Sequence, residues 1–127
     1  MTWLKKYESR LMDADDAVKA IESNWRVFLT GNCSVPQKLL DALVKRAKTL
    51  ENVEIVQVLT IGPAPHVDPE MEDHIRVNTL FISHNVRKAV HEGRADFTPV
   101  FLSEVPLLFR DNPVSYTHLT LPTTPYV

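Results

Sequence analysis

The stretch VEIVQVLTIG, Val53 to Gly62, decides the fold. It carries a single charged residue, Glu54, and five Val or Ile, and Gly62-Pro63 closes it. A short run of β-branched residues bounded by turn formers reads as a strand buried on both faces. Amphipathic helical patterns lie before and after it. The expected fold class is therefore α/β, an open and mainly parallel sheet flanked by crossover helices. Ligands of such sheets bind beyond the carboxyl ends of the strands. That points to the segment after each strand, here Gly62-Pro63-Ala64-Pro65-His66.

Working back toward the N-terminus, Asn24 to Leu29 (NWRVFL) predicts a first strand. The turn Thr30-Gly31-Asn32-Cys33-Ser34-Val35-Pro36-Gln37 comes next. Gly31 and Asn32 tolerate positive φ, Ser34 with Gln37 has capping-box spacing, and Pro36 suits a first helical turn. Leu39, Leu40, Leu43, Val44 and Ala47 then make an apolar stripe reaching about Leu50. Strand, tight turn and helix start in that order present backbone N–H groups to an anion, although the same turn also serves as a plain connection. Nearer the N-terminus, Asp13 reads as an N-cap with Asp16 as its partner, and Ala14, Ala17, Val18 and Ile21 form one face. Trp3 to Leu11 reads as a short helix packing Trp3, Leu4, Tyr7 and Leu11.

Downstream, Ile75 to Ser83 predicts a third strand. A helix over Val86 to Glu92 has Asn85 as N-cap, Ala89 and Val90 inward, and Gly93 just past its end. Ala95 to Leu102 predicts a fourth strand, made irregular by Pro99. Ser103 caps a turn or helix over Glu104 to Phe109. Ser103 and Glu104 lie just past a strand end, where a site is expected, but on local sequence alone helix capping accounts for them better. His66, Asp68, Glu70, Asp73 and His74 match no established metal spacing and read better as a solvated acidic turn, so no metal is expected. His84 and His91 straddle a cap, which argues against a paired ligand role.

The totals narrow the class. With 127 residues, 44% hydrophobic and no long apolar run, the chain suits one globular domain with no membrane span. A formal charge of −2 gives no basic face for nucleic acid. Cys33 is the single cysteine, which fits a reducing compartment and a cytoplasmic location. Val114 to Val127, VSYTHLTLPTTPYV, holds no Asp, Glu, Lys or Arg. Its first ten residues resemble one reading frame of a transposon-end adapter used in sequencing libraries. Residues 1–113 are thus expected to be a partial N-terminal domain and 114–127 a non-native tail.

Several segments together resemble the opening of the acetyl-CoA hydrolase/transferase family, in its 4-hydroxybutyrate CoA-transferase branch. They are Pro36-Gln37-Lys38-Leu39-Leu40-Asp41-Ala42-Leu43, Leu50-Glu51-Asn52-Val53-Glu54-Ile55-Val56 and Asp68-Pro69-Glu70-Met71-Glu72. The run from Asn85 through Gly93-Arg94-Ala95-Asp96-Phe97 to Phe101, and Ser103-Glu104-Val105-Pro106-Leu107-Leu108-Phe109-Arg110, complete the set. The resemblance implies an α/β fold in each of two similar halves, of the kind shared with ribose-5-phosphate isomerases. It also implies transfer of coenzyme A between an acyl-CoA and a short-chain carboxylic acid, acetate or butyrate among them.

In that chemistry a glutamate carboxylate attacks the thioester. The resulting mixed anhydride is captured by the CoA thiolate as a glutamyl thioester, which an acceptor carboxylate then reverses. The nucleophile belongs to the family's second half, so no catalytic residue is expected in this chain. Cleft-wall candidates are Gly31, Asn32, Cys33 and Ser34, the loop after Ile61, and Ser103 with Glu104. Asn32-Cys33-Ser34-Val35 departs from the small residues and glycine that kin often carry there. CoA and acyl-CoA enter as substrates, with no bound cofactor, and the full-length protein is expected to be a homo-oligomer. The rival readings are an acyl-CoA hydrolase that admits water to the same intermediate, and a non-catalytic sugar-phosphate-binding domain of the same fold.

Overall fold

The computed structural model describes residues 2–111, so the expected tail lies outside the described residues. The chain opens with helix α1 (Trp3–Glu8), which buries none of its residues. The packing expected of Trp3, Leu4, Tyr7 and Leu11 is not made, and Trp3 is 78% exposed. Cover for the sheet begins instead at α2 (Ala14–Ala17) and the 3-10 turn Val18–Ala20, where Val18 and Ile21 are fully buried. Asp13 caps α2 as expected, its Oδ1 accepting from the Asp16 N–H at 2.8 Å. The Asp16 carboxylate pairs with Lys19 instead of reaching back to complete a capping box.

Strand β1 (Arg26–Leu29) leads to α3 (Gln37–Ala47), strand β2 (Val53–Gln57) and strand β3 (Ile75–Thr79). Helix α4 (His84–His91), strand β4 (Ala95–Phe97), the 3-10 turn Leu102–Glu104 and helix α5 (Val105–Asp111) complete the described chain. All three strand pairings are parallel, and the spatial order is β1-β2-β3-β4. The α/β expectation holds. Its boundaries move, and each move has a local cause.

β2 stops at Gln57, not Gly62. The Gln57 C=O takes the Leu80 N–H at 2.7 Å, after which the chain swings toward β1 and Thr60 meets Asn32 in an isolated bridge. β3 stops at Thr79, not Ser83, because Thr79 Oγ1 and the Ser83 N–H both donate to the Phe81 C=O and close a turn. β4 stops at Phe97. The Thr98 N–H still donates to the Thr79 C=O at 3.1 Å, and Pro99 then has no N–H to continue the ladder. α4 ends as predicted at Gly93, φ 76°, with Arg94 N–H to Ala89 C=O and Gly93 N–H to Val90 C=O forming a Schellman closure.

Parallel crossovers are right-handed, so strands laid down in chain order send every connection over the same face. On that face Val27, Leu29, Ile55, Val77 and Ala95 pack with Leu40, Leu43 and Ala89 in one continuous core. Two 3-10 turns, Pro65–Val67 and Pro69–Met71, take the place of a helix between β2 and β3. β2 therefore packs Val53 and Ile55 toward the helices, while its other face carries Glu54 beside a buried Val56. There Arg26 pairs with Glu54, Asn78 donates to Glu54 Oε1 at 3.5 Å, and Thr98 Oγ1 donates to Asn78 Oδ1 at 2.9 Å, a polar row across β1, β2 and β3 to the residue after β4. Among the described residues only α5 crosses this face, seating Val105 against Val56 and Leu80, with Phe109 edge-on to Phe28 at 5.2 Å. A cavity of about 240 Å³ lies between α5 and the polar row.

Past the fourth strand Phe101 and Leu107 are exposed, whereas Val100 and Leu108 are partly buried against Val56, Leu80 and Val105. Phe101 and Leu102 are 76% and 75% exposed beside β4, whose partner among the described residues is β3 alone. Such an edge invites self-association. Sedimentation velocity on the 127-residue chain should show concentration-dependent oligomers, and the double variant Phe101→Asp, Leu102→Lys should move the distribution toward monomer.

Candidate functional site

The four strands end side by side, and the segments after β1 and β2 form one joined rim at their carboxyl edge. Gly31 makes the junction possible. A Cβ at Gly31 would lie 2.5 Å from the Leu59 carbonyl oxygen, so backbone meets backbone there with no room for a side chain. Of the two residues that tolerate positive φ, Asn32 adopts it, at 53°, and Gly31 does not. With the chain so turned, the Asn32 N–H donates to the Leu59 C=O at 2.7 Å. Thr30 Oγ1 donates to the Ser34 C=O at 2.7 Å and the Ser34 N–H to the Gly31 C=O at 3.0 Å, tightening the turn from within. Asn32, Cys33 and Ser34 point their exposed surfaces outward from this rim.

The capping box expected of Ser34 and Gln37 is absent. Pro36 is the N-cap of α3 and makes no side-chain cap, while Gln37 Nε2 donates across to the Pro63 C=O at 3.2 Å. Asn85 likewise is not the N-cap of α4. Ser83 takes that place, its backbone C=O accepting from Val86 and Arg87. The Asn85 amide instead donates to the Thr60 C=O at 3.0 Å and the Gly62 C=O at 2.8 Å. Both residues keep the polar side chains that suggested caps, and both spend them on the loop after β2.

Beneath that loop lies a polar pair that the sequence did not disclose. His66 is 1% exposed, and its Nε2 lies 2.7 Å from Gln57 Oε1 at the end of β2. A carbonyl oxygen only accepts, so the neutral ring carries its proton on Nε2. Burial pushes the imidazole pKa down to about 4. Gln57 Nε2, His66 Nδ1 and Thr60 Oγ1 are buried without a partner among the described residues. Buried polar atoms of that kind are costly away from functional sites. The one available sequence signal was Gln57 inside an otherwise aliphatic run.

The remaining candidates part company. Ser103 and Glu104 are exposed on the 3-10 turn after β4; Ser103 does not cap, and the Phe101 C=O receives the Glu104 N–H at 2.8 Å. The imagined metal set is dispersed: His66 is buried on Gln57, and His74 Nδ1 donates to the Leu50 C=O at 2.9 Å. Asp68, Glu70 and Asp73 are exposed. Among the described residues no group of three His, Cys, Asp or Glu could hold a metal ion. No helix among them is long and apolar enough to cross a membrane.

Residues 1–121 match the acetyl-CoA hydrolase/transferase N-terminal domain. The chain is 38% identical over 111 residues to a 4-hydroxybutyrate coenzyme A transferase of Clostridium kluyveri, covering 87% of this chain and 26% of that protein. It is 36% identical over 115 residues to a succinyl-CoA:acetate/propanoyl-CoA:succinate CoA transferase of Fasciola hepatica, covering 89% and 24%. The chain thus spans about a quarter of the length of the curated relatives it matches. Among solved structures, the 4-hydroxybutyrate CoA-transferase of Porphyromonas gingivalis superposes with a TM-score of 0.66 at 26% identity, over 91% of this chain and 26% of that one. RipA from Yersinia pestis shares the fold at 0.71 and 20% identity, over 85% and 28%.

Two substitutions probe the rim. Gly31→Ala should cost about 2–3 kcal/mol, because backbone must move to admit the methyl group, and urea denaturation measures it. For His66, the folded pKa of about 4 lies below the unfolded value of 6.5. Its stabilising contribution is therefore complete above pH 6.5 and is lost as pH falls toward 4, up to about 3 kcal/mol in all. His66→Met should flatten the stability profile between those limits relative to the unsubstituted chain.

Proposed function

We propose, from the premise that this chain belongs to the acetyl-CoA hydrolase/transferase family, that it forms one wall of the cleft in which a full-length enzyme moves coenzyme A between an acyl-CoA and a short-chain carboxylate. The observation that carries this reading is the joined rim. Loops from β1 and β2 meet over Gly31 at the carboxyl edge of a parallel sheet, where ligands of such sheets bind. Asn32, Cys33 and Ser34 are the rim residues that face the acyl-CoA. The names of the relatives support CoA as the carried group and 4-hydroxybutyrate, succinate, acetate or butyrate as the class of acid.

The chain's own residues account for positioning, not for the covalent step. A glutamyl intermediate survives only if water is excluded and backbone N–H donors meet the developing oxyanion. Glu104 is exposed on a 3-10 turn, a position open to water. The family resemblance implies a nucleophilic glutamate in the second half of the full-length enzyme, outside residues 2–111, so the 127-residue chain alone is expected to be inactive. The location we infer is cytoplasmic, with CoA thioesters as substrates and a homo-oligomer as the full-length state. We also propose that residues 114–127 are foreign to the domain, on the abrupt loss of charge at Val114. Native DNA read past codon 113 decides that point, against a family match that runs on to residue 121.

Incubating the full-length protein with acyl-CoA and no acceptor should leave CoA covalently attached. Peptide mass spectrometry should place the adduct outside residues 2–111, and Glu104→Gln should still form it. An adduct on Glu104, or none on the unsubstituted protein with any short acyl-CoA, overturns the reading.

A further inference from the structure

We infer that Asn85 is a positioning residue that holds the Leu59–Pro63 segment rigid as the substrate-facing part of the rim; this rests on the proposed function, in which the rim faces an acyl-CoA. The side chain sits in the first turn of α4, yet it caps nothing in that helix, where the Val86 and Arg87 N–H groups go to the Ser83 carbonyl. Its Oδ1 accepts from the hydroxyl of Ser83, which is buried, and this fixes which way the amide faces. Both Nδ2 hydrogens are then directed at one short stretch of backbone, to the Thr60 C=O at 3.0 Å and the Gly62 C=O at 2.8 Å. An amide is the side-chain group that combines one acceptor with two donors at this reach. Aspartate would set a carboxylate against two carbonyls.

The rest of the segment is held in the same sense. The Leu59 C=O accepts from the Asn32 N–H and the Pro63 C=O from Gln37 Nε2. Four carbonyls in five residues are thus occupied by donors from three separate elements: the turn after β1, the start of α3 and the start of α4. Thr60 is buried, while Ile61 between the clamped carbonyls is 55% exposed. Loops that only connect are normally exposed and loosely held. This one is exposed and fixed, which is the property of a surface prepared in advance for a ligand, because ordering it on binding would weaken affinity.

The test compares Asn85→Asp and the milder Ser83→Ala in the full-length protein by hydrogen exchange and by steady-state kinetics with acyl-CoA. In Asn85→Asp the amide of Asn32, which donates to the Leu59 C=O, should exchange at least tenfold faster. KM for acyl-CoA should rise at least tenfold, with kcat within threefold. Ser83→Ala should shift both in the same direction by less. A purely structural role would lower the folded fraction, and with it the apparent kcat, and leave KM unchanged. Unchanged exchange overturns the clamp; faster exchange with unchanged KM overturns the positioning role. An unsubstituted protein with no CoA transfer removes the functional reading first, and the positioning role with it, while the exchange result still decides whether the clamp exists.

Discussion

A parallel sheet whose strands lie in chain order has right-handed crossovers over one face only, and this asymmetry governs the molecule. One face meets α2, α3, α4 and the turns between β2 and β3, and it buries Val27, Leu29, Ile55 and Val77 almost completely. The other face carries charge: the Arg26–Glu54 pair and a bidentate Arg76–Asp96 pair, whose hydrogen bonds hold the Asp96 carboxyl below its usual range. These pairs are partly open to solvent and contribute little stability. What they do is keep an otherwise apolar sheet hydrated where α5 does not reach.

The same topology places four strand ends in a row and leaves the segments after them to be joined. At the β1–β2 junction the joining is done by backbone, through Gly31 and Asn32 against Leu59. Side chains take over further on, with Gln37 and Asn85 reaching the carbonyls of Thr60, Gly62 and Pro63. A buried neutral imidazole on Gln57 underlies the loop. The rim is thereby stiff although it is solvent-exposed. Stiffness of this kind suits the proposed role as a cleft wall.

Much of the fold could be read from the sequence because its determinants are local. The β-branched run at Val53, the apolar stripe from Leu39 to Ala47, the cap at Asp13 and the glycine at Gly93 each act within a few residues. The family resemblance was legible for the same reason, in contiguous segments that the match to residues 1–121 covers. Strand ends were not. β2 stops where the chain swings across to meet Asn32, β3 where Thr79 and Ser83 close a turn on the Phe81 C=O, and β4 at Pro99, and the apolar runs themselves carry on past the first two of these points.

The candidate site divides along the same line. Its location past the strand ends, and the turn from Gly31 to Ser34, came from the order of residues alone. The tasks of Ser34, Gln37 and Asn85 did not, because a polar residue beside a helix start caps it unless a closer acceptor is available. Tertiary packing supplied that acceptor for Gln37 and Asn85 by bringing the loop after β2 within reach. Sequence by itself determined which elements form and in what order. Only the folded chain decided where each side chain's hydrogen bonds go, since that depends on distances between residues more than 20 positions apart.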